Sequence, residues 1–387
     1  MSVNVLVLGG YGNVGKAIVT KLIQHKDISQ VGIAGRNRQK LKALVDSLIQ
    51  SKCSLHVIDF AGEARRLTQL LTGFGIVINA MSHEYNLSIM KACLETGTNY
   101  LDLGGMFHIT QKQLNLNERF SAAGLTAVLC MGACPGISNV LAAYGAKQFD
   151  QVEEFHIRVG SLRPEETRGF NMSIRTLLDE FTKNAVVFEN GGHVEVPPLS
   201  GRDRFVLPAP VGEVEGFYAL HSEVLTLPAS FPGVKKVTYR VSFPPVQMRQ
   251  MEVLLELGFG STQTISIKGA EISPREFLTI MLENARTQQP FIDEYKALQV
   301  ETRGRTNGKP GSYSCHTVVG SNRALQMNAS AIWTSIPASI AVTMIARQEI
   351  NKKGVFPPER AVDPSRFIEE LEKEGIQIHK DHKVGDT

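Results

Sequence analysis

The stretch LGGYGNVGKAI, residues 8–18, carries Gly10, Gly12 and Gly15 in G-x-G-x-x-G spacing directly after the apolar run Val3–Leu8. In that order the first glycine permits a tight turn and the second lets backbone come close to a pyrophosphate. The third lets the following helix pack on its strand. Tyr11, Asn13 and Val14 fill the positions between them, where the first N–H groups of a helix would meet the phosphates of a dinucleotide. A glycine turn with a purely structural role is the plainer alternative. No Gly-Lys-Ser/Thr follows, which argues against a phosphate-cleaving loop.

The end of the second apolar run discriminates between dinucleotides. Chains that bind NAD normally place Asp or Glu there, to hold the ribose 2′-OH. Here IAGRNRQK puts Gly35, Arg36, Asn37 and Arg38 in that region, with Lys40 beyond. A guanidinium matches a 2′-phosphate far better than a bare hydroxyl. NADP(H) is therefore the expected cofactor, with NAD(H) the remaining option and a solvated helix start the plainer reading. Asp59, at the end of the third run, could accept from the adenine amine or cap the next helix. Ala80, Met81 and Ser82 in INAMSHEYN follow the fourth run and would border the nicotinamide ribose.

Metal chemistry finds little support. His221 and Glu223 have the H-x-E spacing of zinc deaminases, but the accompanying Pro-Cys-x-x-Cys is absent. Cys130 and Cys134 lack both the two-residue spacing and a second pair. No metal site is expected. The five cysteines form no repeating framework, which fits a reducing compartment.

Positioning these residues requires an α/β frame. Apolar runs at Val3–Leu8, Val31–Ala34, Ser54–Phe60, Gly75–Ala80, Tyr100–Leu103 and Thr126–Met131 read as strands. Val14–Gln24, Arg38–Gln50, Glu63–Thr72 and Leu87–Thr96 read as the helices between them. Such alternation predicts a doubly wound parallel sheet over residues 1–135. From Val152 to Gly269 the pattern becomes strand-like with Gly/Pro turns, interrupted by a helix over Asn171–Asn184 and followed by one over Pro274–Arg286. Residues 136–325 are therefore expected to form an α+β domain. The tail, 326–387, returns to helix at Ala329–Glu349 and Pro364–Glu374, with NKKGVFPPERAVDPS as a loop between them.

Composition limits the partners. The chain has 387 residues, 43% hydrophobic and 20% charged, with a formal charge of +3. That length suits two or three domains. Without a dense Lys/Arg block, nucleic acid is not expected as a partner. No run reaches about 18 uninterrupted apolar residues, so no membrane association is expected. The nearest, Ile332–Ala346, is broken by Thr, Ser and Pro337. A strand pattern starts almost at the N-terminus, with no signal-like segment, so the expectation is a cytoplasmic protein.

Taken in order, VLVLGGYGNVG, GRNRQKL, INAM, NYLDLGG, CMGACPGISNVLA, HSEVLTLP and GVFPPERAVDPSRFIEELEKEGIQI resemble the saccharopine dehydrogenase family, including its saccharopine reductase and lysine 6-dehydrogenase branches. TNYLDLGGMFHITQKQL and PPLSG look closest to the lysine 6-dehydrogenase side, whereas the Arg36 region departs from the acidic residue of NAD-using members. The resemblance implies a Rossmann domain completed by C-terminal helices, an inserted domain holding the substrate, and a homodimer. It also implies hydride transfer between an amine and an imine of an amino-acid-derived substrate.

Such chemistry needs a hydride face, a group for the amine proton and a cation for a carboxylate. Asp102 is the first candidate to bind the amine or relay its proton, with Tyr100 beside it and Gly104 following; a turn aspartate is the alternative. Pro135 and Gly136 in GACPGISN are expected against the nicotinamide. His221, on a strand face shared with Glu223, is a candidate proton relay, with an exposed face as the plainer reading. Asn171, Ser173, Arg175 and Arg240 are candidates for substrate binding, the arginines as carboxylate clamps. Two alternatives stay open: reduction of an imine between an aldehyde and a polyamine, as in carboxynorspermidine dehydrogenases, and a non-catalytic NADP(H)-sensing regulator.

Overall fold

The structure is a computed structural model that describes residues 2–48, 52–60, 64–164, 173–287 and 291–384. Its first sheet contains β1 (Val3–Leu8), β2 (Ile28–Gly35), β3 (Cys53–Val57), β4 (Ile76–Asn79), β5 (Asn99–Asp102) and β6 (Thr126–Val128). All pair in parallel, in the order 3-2-1-4-5-6, and the strand Gly354–Phe356 adds a seventh position beside β6. Along β1, Val5 and Val7 point into one core while Leu6 and Leu8 point into the other. Both faces are thus covered, as a parallel sheet requires. The order reverses between β1 and β4, and ligands of doubly wound sheets bind at that switch, outside the carboxyl ends of the strands.

Helix α1 (Asn13–Leu22) follows β1 and α2 (Arg38–Ser47) follows β2. On α1, Ala17, Ile18 and Leu22 are buried, the stripe by which the helix packs on the sheet. Two helices, Met106–Leu114 and Asn117–Ala122, stand between β5 and β6 where no helix was expected.

The second sheet is mixed and, among the described residues, has nine strands. Its long central strand, Gln151–Leu162, runs antiparallel to Tyr295–Thr306 and parallel to Lys236–Val241. The strand-like reading of 152–269 misses two helices, Glu223–Ser230 and Pro245–Glu256. Proline explains both errors. Pro228 sits inside the first helix, and Pro245 occupies the opening position of the second, where a missing N–H costs nothing.

The tail serves both sheets. The helix Ala329–Ala346 packs on α1 and against the strands Tyr295–Thr306 and Lys309–Gly320. It is long and apolar enough to cross a membrane by composition, yet 78% of it is buried inside the protein. Asn328 caps it by accepting from the Ala331 N–H. The segment read as a loop holds the strand Gly354–Phe356 and a short helix, Pro358–Ala361. The last strand, His379–Val384, pairs with Lys309–Gly320 in the second sheet, so the tail past Pro364–Lys373 does not stay with the first.

Candidate active site

The glycine loop is arranged to receive a pyrophosphate, though the duties of its glycines shift by one. The left-handed residue is Gly9, at φ +75°; Gly10 is required because a Cβ there would lie 2.6 Å from Cγ2 of Ile33. Gly12 is exposed, and a Cβ there would meet only the Gly9 carbonyl, at 3.3 Å. As the residue capping α1 it supplies no side-chain acceptor, so the helix opens with unclaimed N–H groups at Asn13 and Val14. A Cβ on Gly15 would overlap the Gly9 carbonyl oxygen. Gly15→Val is therefore expected to push α1 off the loop, at a cost of about 1–3 kcal/mol. The check is NADPH affinity by fluorescence titration, expected to fall roughly ten- to hundredfold.

Gly35 is explained by Tyr11, whose ring occupies the space a Cβ would need. This brings the tyrosine over the end of β2, beside Arg36, Asn37 and Arg38, all exposed. Asn37 caps α2, its Oδ1 accepting from the Lys40 N–H at 3.0 Å. Among the described residues neither Arg36 nor Arg38 has an ion-pair partner. Asp59 is exposed just past β3. The residues present thus fit a dinucleotide: an open glycine cradle, an uncapped helix start and unpaired guanidiniums at the ribose end.

A cleft of about 470 Å³ continues from this loop. Gly12, Asn13 and Val14 form one border, Ala80, Met81 and Ser82 a second, and Gly104 and Pro135 a third. Gly136, at φ +131°, does not line it; its lack of a side chain instead lets the loop close on Gly132.

His221 lines the same cleft. It is not on a strand; it precedes the helix Glu223–Ser230, and its side chain is only 11% exposed. Its ring lies flat on Tyr239, centroids 3.7 Å apart at 6°. Nδ1 meets Glu223 Oε2 at 2.7 Å, and Glu223 Oε1 accepts from the Ser138 hydroxyl at 2.7 Å. Burial alone would lower the imidazole's pKa, but the Glu223 carboxylate outweighs it and holds the ring above its usual value. The exposed-face alternative is thereby overturned.

Asp102 and Tyr100 are not in the cleft. Asp102 is buried at the end of β5 with both oxygens occupied. Oδ1 accepts from the Cys130 and Gly104 N–H groups at 2.7 and 3.0 Å. Oδ2 accepts from Gln113 Nε2 and the Tyr100 hydroxyl at 2.6 and 3.0 Å. Gln113 Oε1 accepts in turn from Asn86, which also bonds Asn79, and Asn79 holds the Met81 N–H. This buried network fixes two borders of the cleft, so Asp102 positions the loops and has no free oxygen for a substrate amine.

The arginines are also spoken for. Arg175 makes a bidentate pair with Glu276, and Arg240 stacks on Tyr218 while donating to Gly201 O and the Tyr218 hydroxyl. Neither lines the cleft. Ser173 does, and it also caps its helix by accepting from the Thr176 N–H. Asn171 lies outside the described residues.

Three groups went unnoticed in the sequence. His83 lines the cleft beside Ser82, and burial lowers its pKa. Glu180, on the helix Ile174–Thr182, lines it too, and burial raises its carboxyl to about 7. Lys296 stands on the strand Tyr295–Thr306, and burial lowers its ammonium. Both of the last could have been found. Glu180 follows Leu177 by three, on the edge of the apolar stripe Ile174, Leu177, Leu178 and Phe181. Lys296 shares a strand face with the buried Leu298 and Val300.

Two family models cover nearly the whole chain: the saccharopine dehydrogenase NADP binding domain over residues 5–128, and the saccharopine dehydrogenase C-terminal domain over 132–376. The chain belongs to the saccharopine dehydrogenase family. It is an oxidoreductase of that family. The carboxyaminopropylagmatine dehydrogenase of Synechocystis is 24% identical over 97% of both chains. The carboxynorspermidine synthase of Vibrio alginolyticus is 25% identical over 96% of this chain and 95% of the other. Among solved structures, the apo saccharopine dehydrogenase (L-Glu forming) of Saccharomyces cerevisiae superimposes with a TM-score of 0.78 at 16% identity, covering 98% of this chain and all of that one. The homospermidine synthase of Legionella pneumophila in complex with NAD gives 0.68 at 14%, covering 98% and 91%. At such identities these structures establish the shared fold.

Proposed function

We propose that this protein reduces a C=N bond joining an amino-acid-derived aldehyde to a diamine or polyamine, with NADPH as the preferred reductant. The charge of the cleft carries this reading. Among its described lining residues stand Glu180, Glu283, His83 and His221, with no lysine or arginine. Walls of that kind favour a substrate rich in ammonium groups and reject one with several carboxylates, such as saccharopine. The relatives named for carboxylated polyamines, matched end to end, support the same class.

When bound, the nicotinamide supplies the hydride for the imine carbon. The protein's part is the proton for the nitrogen. His221 has Nδ1 committed to Glu223, which leaves Nε2 for the cleft. Glu223, held by Ser138, keeps the imidazolium charged, and Tyr239 fixes the plane of its ring. Gly12, Asn13 and Val14 would hold the pyrophosphate and Arg36 the 2′-phosphate.

The test follows NADPH absorbance with purified enzyme and two panels: amino-acid semialdehydes mixed with diamines, and lysine or saccharopine. Turnover confined to the imine mixtures is expected. Turnover of saccharopine alone overturns the substrate class, and tight NADPH binding with no turnover in either panel favours a sensor. Arg36→Ala is expected to weaken NADPH about tenfold and leave NADH unchanged, since only the former carries the phosphate that the guanidinium meets. Equal losses for both nucleotides would sink the assignment.

A further inference from the structure

We propose that Glu180 is the receptor for an ammonium group of the substrate and gives up a proton to solvent when that ammonium arrives. The inference rests on the functional reading above and assigns capture of the diamine to one side chain. Six carboxylates are buried among the described residues, and five of them have hydrogen-bond partners. Asp102 and Glu223 are held as described above; Asp179 is held by Lys183, Glu294 by Arg163 and Glu359 by Asn139. Glu180 is the sixth. It is 5% exposed and lines the cleft, and its Oε2 has no hydrogen-bond partner. Among the described residues no cationic nitrogen lies within 4.0 Å of its carboxylate.

The helix Ile174–Thr182 carries it there. Ser173, Thr176 and Glu180 line the cleft at spacings of three and four, so they share one helix face. Exposure falls along that face, from Ser173 in solvent through half-buried Thr176 to Glu180. Two hydroxyls thus lead from solvent to a carboxylate about 10 Å farther along the helix.

A carboxylate closed off from water is unfavourable as an anion, and burial raises the Glu180 carboxyl to about 7. The charges acting on it do not cancel this. His221 and Lys296 favour the anion; Asp179, on the same helix, opposes it and is itself matched by Lys183 and Arg275. Tyr239 and Cys134 are kept neutral by burial, and His83 and Glu283 complete the titratable groups of the cleft wall. At neutral pH the empty site is therefore partly protonated. An alkyl ammonium keeps its own proton at that pH and supplies the missing counter-charge. The carboxyl O–H bond breaks, its proton leaves to buffer, and the ammonium N–H groups donate to the carboxylate. Affinity for the diamine then rises with pH through about 7 and levels off above it. The KM for the diamine carries that dependence, whereas kcat follows His221.

The exchange is visible without turnover. Putrescine is titrated calorimetrically into NADP+-loaded enzyme at pH 7, in two buffers of different ionisation enthalpy. About half a proton should be released per molecule bound, and affinity should drop about fivefold from pH 7 to pH 6. Glu180→Gln should abolish the release and weaken putrescine at least about tenfold, with NADP+ affinity and melting temperature near wild type. Glu180→Asp keeps an ionisable group and should restore part of both, which separates loss of the carboxylate from loss of the fold. His221→Asn should keep the release; its loss there would assign the proton to the imidazole and overturn the proposal. Putrescine left unbound, bound with no buffer-dependent heat, or bound with a release that survives Glu180→Gln, would overturn it equally. Failure of imine turnover strikes the functional reading and leaves this result standing, and failure of the exchange does the reverse.

Discussion

Asp102→Ala is expected to lower folding stability by about 3–5 kcal/mol, a far larger effect than on the chemistry itself. The substitution strands the Cys130 and Gly104 N–H groups, the Tyr100 hydroxyl and the Gln113 amide in a buried site. It also releases Cys130, a non-glycine residue at φ +58° whose backbone N–H the carboxylate grips. Asp102→Asn does not rescue, because its amide turns a donor toward donors. Urea unfolding should show a lowered midpoint with an unchanged slope. A variant of wild-type stability that has lost turnover would instead restore Asp102 to the reacting atoms.

His221→Asn is expected to lower kcat roughly 10²–10³-fold while NADPH affinity stays as it was. The pH dependence carries the sign. As an acid His221 must be protonated, so the rate is at its plateau below the raised pKa and falls as pH rises through it. Glu223→Gln removes the charge that raises that pKa, and the falling limb should move to lower pH. A purely structural Glu223 would change the height of the profile and leave the limb in place. Turnover within about threefold of wild type in His221→Asn would exclude the imidazole as the proton source.

Much of the frame was legible because its signals are local. The period of apolar residues marks β1 to β6 and the crossover helices from β1 as far as β5 to within a few residues, and G-x-G-x-x-G needs only adjacent positions to specify a backbone shape. Arg36 was visible for the same reason, standing where an acidic residue would otherwise be. The helices Glu223–Ser230 and Pro245–Glu256 were hidden by prolines that also read as turns. The strands Gly354–Phe356 and His379–Val384 are defined by partners hundreds and tens of residues away, in β6 and Lys309–Gly320.

Chemistry at the site divides along the same line. Sequence by itself determined the shape of the glycine loop at the end of β1, since that property resides in consecutive residues. It also singled out His221 and Glu223 as a pair. Tertiary structure alone decided that Asp102 is sealed by four donors, that Arg175 and Arg240 are engaged elsewhere, and that Glu180 lines the cleft with a buried oxygen that has no hydrogen-bond partner. The physical reason is that an ionisable group's role depends on which donors, charges and solvent surround it. Those neighbours come from separate parts of the chain, and only the packed fold brings them together.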